Sequence, residues 1–163
     1  SGSVCAILDA AAAACVAMRE REGAALAADL RARLAALATL RSRVAERSPG
    51  RLVAERDRLA GAVKELAGGV AVDPNRLAQE IAFMADRLDT TEELVRFGTH
   101  LEACRAALDG GKPVGRQLGF LLQELGREAN TIGSKANDAA IAEAVIAMKG
   151  ELEKMREQIE NLE

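Results

Sequence analysis

The stretch Ile141-Ala-Glu-Ala-Val145-Ile-Ala-Met148-Lys-Gly-Glu-Leu152-Glu-Lys-Met155-Arg-Glu-Gln-Ile159-Glu-Asn-Leu162 decides the fold. Its large apolar residues recur at alternating steps of four and three, a strict heptad seam. A helix with one apolar stripe buries it against other helices. The chain therefore reads as all-α: a long helical hairpin plus a helical bundle with a coiled-coil-like C-terminal helix.

Working outward, this helix starts near Asp138. Before it, Leu118, Leu121, Leu122 and Leu125 mark a helix that follows the loop Lys112-Pro113-Val114-Gly115. Leu94, Phe97, Leu101, Cys104 and Leu108 mark another, begun by Asp89 and Thr90-Thr91-Glu92-Glu93 and closed by Gly110-Gly111. Asp73-Pro74 is an N-cap followed by proline at the first helical position, with Leu77, Ile81, Met84 and Leu88 behind it. The N-terminal part carries Leu26, Leu30, Leu34, Leu37, Leu40 and Val44. It predicts a helix from Ser3 as N-cap to about Arg47, stopped by Ser48-Pro49-Gly50. A second helix with Leu52, Leu59, Val63 and Leu66 then runs to Gly68-Gly69, and the two form an antiparallel hairpin. Two regions follow: 1–70, the hairpin, and 71–163, the C-terminal helical domain.

Composition agrees. Of 163 residues 49% are hydrophobic, yet aromatics make up 2% and Trp and Tyr are absent, so Leu, Ile, Val and Met must fill the core. The net charge of -3 does not mark a nucleic-acid binder, but charge is uneven. Residues 19–58 hold ten basic and six acidic residues; residues 136–163 hold three and seven. Cys5, Cys15 and Cys104 have no metal-ligand spacing and sit among apolar neighbours, which predicts buried free thiols in a reducing cytoplasm. No apolar run reaches the ~18 residues of a membrane span, and no signal peptide is recognisable.

Polar clusters interrupt the stripes. Arg19-Glu20-Arg21-Glu22 suits a solvated helix face, and Gly23 after it permits a close approach. Glu92, Arg96 and His100 are spaced to share one face. That spacing suits an exposed ion pair beside a half-buried histidine, and equally a phosphate-binding arginine beside a general acid or base. Glu124 and Glu128 lie one turn apart, placed to share a divalent cation or a water. Arg127, Asn130, Ser134 and Lys135 on an adjoining face suit phosphate oxygens. Gly119, Gly126 and Gly133 in the same helix exceed what a simple bundle needs. At the terminus, Arg156, Glu157 and Asn161 point away from the heptad seam.

These clusters resemble the YicC/YloC family of bacterial stress-associated endoribonucleases. The match rests on REREGAAL at 19–26, on Glu92-Glu93-Leu94 with Arg96 and His100, on GRQLGFLLQELGREANTIGSK at 115–135 and on the closing LEKMREQIENLE. Two positions depart: Gly119 stands where the family usually has Asp, and Gly126 where it has Asn. Members also begin with a β-rich region, which the resemblance places before the part seen here.

The resemblance implies an endoribonuclease that cleaves RNA with Mn²⁺ or Mg²⁺ as a cytoplasmic homo-oligomer, typically a hexamer, with neither DNA nor membrane as partner. Carried onto this sequence it nominates Glu93, His100, Glu124 and Glu128 as acids and bases. Glu124 with Glu128 would hold the metal, and Arg21, Arg96, Arg116, Arg127, Asn130 and Lys135 would contact RNA. A second reading makes the helices an assembly and RNA-gripping scaffold whose chemistry lies in the β-rich region. With so few aromatics, the grip is expected to rely on backbone charge.

Overall fold

The computed structural model describes residues 2–68, 73–110 and 114–160, the side chain of Leu52 excepted. The expectations for Gly69, Gly111–Pro113, Asn161 and Leu162 lie outside them. Five helices follow one another: α1 (Gly2–Leu66), α2 (Pro74–Leu88), α3 (Thr91–Asp109), α4 (Gly115–Lys135) and α5 (Ala139–Glu160). Among the described residues there is no strand, and no helix is long and apolar enough to cross a membrane.

The starts and stops are largely those the residues dictate. Asp73 accepts a hydrogen bond from the Asn75 N–H at 2.9 Å ahead of Pro74. Gly68, at φ +54°, turns the chain after α1 in the left-handed conformation that glycine tolerates. Asp89 Oδ1 accepts from the Thr91 N–H at 2.9 Å and so ties down the entrance to α3.

α1 departs from expectation. Its 65 residues run unbroken through Ser48-Pro49-Gly50, a rod of roughly 100 Å, and the helix already includes Ser3. Proline inside a helix removes one hydrogen bond and costs about 3 kcal/mol. Tertiary contacts on both sides offset that here. Ser48 Oγ lies 3.3 Å from Thr90 Oγ1, and the buried Arg51 donates to Lys135 O and Ala136 O at 2.6 Å each and to Leu88 O. The expected hairpin between residues 3–47 and 52–68 is therefore not formed: both lie in one helix, the chain turns only after residue 66, and α2 folds back along the end of α1.

The core joins the middle of α1 to the last three helices. Leu30, Leu34, Leu37 and Val44 pack with Phe97, Leu101, Leu125, Ile132 and the α5 seam residues Ile141, Val145, Met148, Leu152, Met155 and Ile159. Arg33 crosses from α1 to Glu151 of α5 at 2.9 Å, and Arg31 to Asp109 of α3 at 2.8 Å. Residues 3–25 project beyond this core and are exposed throughout. Cys5 and Cys15 are consequently exposed, against expectation, whereas Cys104 is buried and its thiol pushed up to about 11 by burial. No atom approaches Gly23 either.

Asp138 starts α5, its Oδ1 accepting from the Ile141 N–H at 3.1 Å while Arg47 donates to Oδ2 at 3.0 Å. The arginine bond, then the helix N–H, hold this carboxyl below its ordinary 3.8. A carboxyl more acidic when folded contributes stability above its unfolded pKa and loses it as pH falls through the folded one. The expected result is an unfolding temperature that drops below about pH 4. Asp138→Ala costs about 1 kcal/mol near neutrality and flattens that drop. Thermal denaturation followed by circular dichroism across pH checks both.

Candidate functional site

α3 and α4 pack side by side, and their contacts give the register. Lys135 Nζ meets Glu93 Oε1 at 2.8 Å, and Arg96 Nη1 lies 3.9 Å from Glu128 Oε1. Advancing along α3 thus means retreating along α4, so the helices are antiparallel. One turn further along α3 stands His100; one turn back along α4 stands Glu124. Contacts join Glu93 with Lys135 and Arg96 with Glu128, and the helical period places His100 and Glu124 on the same polar seam.

Burial along it is uneven. Glu93 and Glu128 are buried, an expensive place for carboxylates without full pairing. Glu93 Oε2 has no hydrogen-bond partner among the described residues, and the nearest cation to Glu128 is the distant Arg96. Arg96 keeps about half its side chain exposed and pairs with Glu92. Glu124 is partly exposed, with Arg127 Nη1 at 3.9 Å. His100 is half-buried and makes no hydrogen bond or ion pair among the described residues. Lys135 also donates to Asp89 O at 2.8 Å, so its ammonium is anchored at the foot of the seam.

The other nominated residues stand apart. Arg116 is exposed on the first turn of α4, far from Lys135 on its last. Asn130 lines a groove of about 580 Å³ between α4 and α5, together with Gly119 and Gly126. Ser134 donates to Thr131 O at 2.8 Å. Arg21 lies on the projecting part of α1 and, among the described residues, donates only to Ala17 O, at 3.3 Å. Arg156 pairs with Glu160 at 3.2 Å and borders the same α4/α5 groove as Asn130. Of Gly119, Gly126 and Gly133 in α4, Gly133 has a packing reason after all, since a Cβ there would meet Val145 at 3.1 Å. Gly119 and Gly126 face open space.

Among the described residues no three His, Cys, Asp or Glu side chains cluster closely enough to hold a metal ion. Two carboxylates one turn apart suit only a hydrated Mg²⁺ or Mn²⁺ that keeps several waters and shares substrate phosphate. Glu124 and Glu128 are of that kind.

A family model for the C-terminal region of endoribonuclease YicC-like proteins matches residues 44–163. The chain belongs to this family. Two relatives bear the name probable endoribonuclease YicC. That of Clostridioides difficile is 40% identical over 147 residues, covering 90% of this chain and 50% of the relative. That of Haemophilus influenzae is 38% identical over 148 residues, covering 91% and 51%. The chain spans about half the length of the curated relatives it matches. All six seam residues fall within the stretch matched by the YicC-like model.

Sequence reasoning overlooked Arg51, whose partners are backbone carbonyls far along the chain and leave no motif. It also passed over Arg76, Phe83 and Arg87 of α2, which border a groove visible only once α2 lies against α1.

Proposed function

We propose that this chain is the helical part of a metal-dependent endoribonuclease that acts in the cytoplasm as a homo-oligomer, a hexamer in the full-length protein, with the α3/α4 seam as its RNA-acting site. One observation carries the reading: along one crease Glu93 is buried with one carboxylate oxygen held by Lys135 and the other unpartnered among the described residues, and Glu128 is buried with its nearest cation at 3.9 Å. Beside them lie the half-exposed Arg96 and a histidine that makes no hydrogen bond or ion pair among the described residues. Groups kept at a cost to folding are a mark of functional sites. Arg96 would bind a phosphate, and Arg116 and Arg127 would extend the charged track along α4. His100 would move a proton at the scissile phosphate, with Glu124 or Glu93 as its counterpart. A hydrated Mn²⁺ or Mg²⁺ on Glu124 and Glu128 would polarise a phosphate oxygen.

RNA binding is the first test. A labelled structured RNA is titrated with the chain at several salt concentrations. Arg96→Ala is expected to weaken binding about tenfold at low salt and to reduce the salt slope by about one. Unchanged binding would remove the seam from the RNA path.

The scaffold reading keeps one specific observation in its favour. Val4, Ile7, Leu8, Val16 and Met18 are 49 to 66% exposed on the projecting part of α1, an apolar surface suited to another helix. On that reading the seam grips RNA and the chemistry lies elsewhere in the full-length protein. Cleavage that survives loss of the Glu124 and Glu128 carboxylates would favour it.

A further inference from the structure

α2 is amphipathic, yet none of its residues is buried. Between it and the end of α1 runs a groove of about 640 Å³, floored by Leu59, Leu77 and Met84. Arg76, Phe83 and Arg87 stand on its border, spaced along one face of α2 by two turns and then one. Phe83 is 68% exposed in a chain that has only three phenylalanines. Among the described residues neither Arg76 nor Arg87 makes an ion pair. Glu55 pairs with Arg58 and Lys135 with Glu93, while Asp73, which caps α2 and keeps its charge, and Glu80 balance Arg76 and Arg87 in number. The two guanidinium groups nevertheless stay exposed and unpaired among the described residues.

The groove is continuous with the seam. Lys135 lines it and also pairs with Glu93, so the groove opens at the foot of the crease between α3 and α4. An apolar slot, an exposed ring and two unpaired guanidinium groups are the parts that hold single-stranded nucleic acid: a stacking surface and phosphate contacts.

We propose that this groove takes a nucleotide of the RNA strand that crosses the seam, its base stacked on Phe83 and its flanking phosphates held by Arg76 and Arg87. The inference rests on the RNA reading above and adds a subsite outside the reacting centre. It also qualifies the expectation of a purely charge-based grip.

The experiment is fluorescence anisotropy of a labelled single-stranded RNA of about 16 nucleotides, a length in the range single-strand sites span, with the 163-residue chain at low salt. Phe83→Ala is expected to raise Kd about tenfold, and Phe83→Tyr, which keeps a ring, to leave it near wild type. The double variant Arg76→Ala/Arg87→Ala is expected to lower the slope of log affinity against log salt by about 1.4. All three side chains are exposed, so helicity should hold. Should a variant lose helicity, abasic RNA on the wild-type chain decides: stacking requires weaker binding than to the same RNA with bases. If Arg96→Ala weakens binding while Phe83→Ala and the double variant do not, the RNA reading stands and this subsite is overturned, leaving the groove to a protein partner. If the wild-type chain binds no RNA, both fall.

Discussion

Arg51→Ala is expected to cost about 3 kcal/mol, the upper end of the range for stranding buried carbonyls bonded to a charged donor. The guanidinium donates to Lys135 O and Ala136 O at 2.6 Å each, and also to Leu88 O. These carbonyls close the C-terminal ends of α4 and α2, where helix carbonyls lack partners and a positive charge is favoured. One side chain thereby satisfies two helix ends and joins the α1/α2 pair to the bundle. Its Nε is buried without a partner among the described residues, so the geometry serves the carbonyls more than the arginine. For a chain of this size the loss corresponds to about 10 °C in Tm. Arg51→Lys should recover less than half, because an ammonium does not match the planar fork. A loss below about 1 kcal/mol in urea denaturation would mean that water satisfies these carbonyls and the clamp is incidental.

The second large effect is a divergence between stability and activity. Glu128 is buried, and its nearest cation is Arg96 at 3.9 Å, too far for a good hydrogen bond. Since Arg96 is itself about half exposed, removing the carboxylate leaves no buried charge behind. Glu128→Leu should therefore hold the stability of the fold or raise it by about 1 kcal/mol, as when buried ion pairs give way to apolar side chains. RNA cleavage should fall at least about a hundredfold, the lower bound for losing an acid–base or metal-holding group. A purely structural Glu128 predicts the reverse, with stability falling and turnover per folded molecule unchanged.

Much of the architecture was legible in the residues. Heptad spacing from Ile141 to Ile159 gave the α5 seam, and Asp73-Pro74, Asp138 and Gly68 gave element ends through local chemistry. What local chemistry does not determine was missed. The helix continues through Pro49 because contacts from Thr90, Lys135 and Leu88 outweigh the proline penalty. Cys5 and Cys15 are exposed because the first part of α1 projects past the core, which no neighbouring residue announces. Gly133 looked surplus until Val145 of α5 came against it. For the site, the motifs supplied names but not neighbours. Only the antiparallel register of α3 and α4 brings Glu93 to Lys135 and Arg96 to Glu128, while Asn130 turns to the α4/α5 groove and Arg21 stands on the projecting part of α1.

The most direct measurement is cleavage of an end-labelled structured RNA with Mn²⁺ or Mg²⁺, comparing wild type, Glu124→Ala and Glu128→Gln. Each is made both in this chain and in a protein of the relatives' full length that carries the same seam. The wild type is expected to cleave in a metal-dependent way, in the full-length context at least, and both variants to lose cleavage with folding and RNA binding retained. Undiminished cleavage by either variant would contradict the assignment of the α3/α4 seam as the catalytic site.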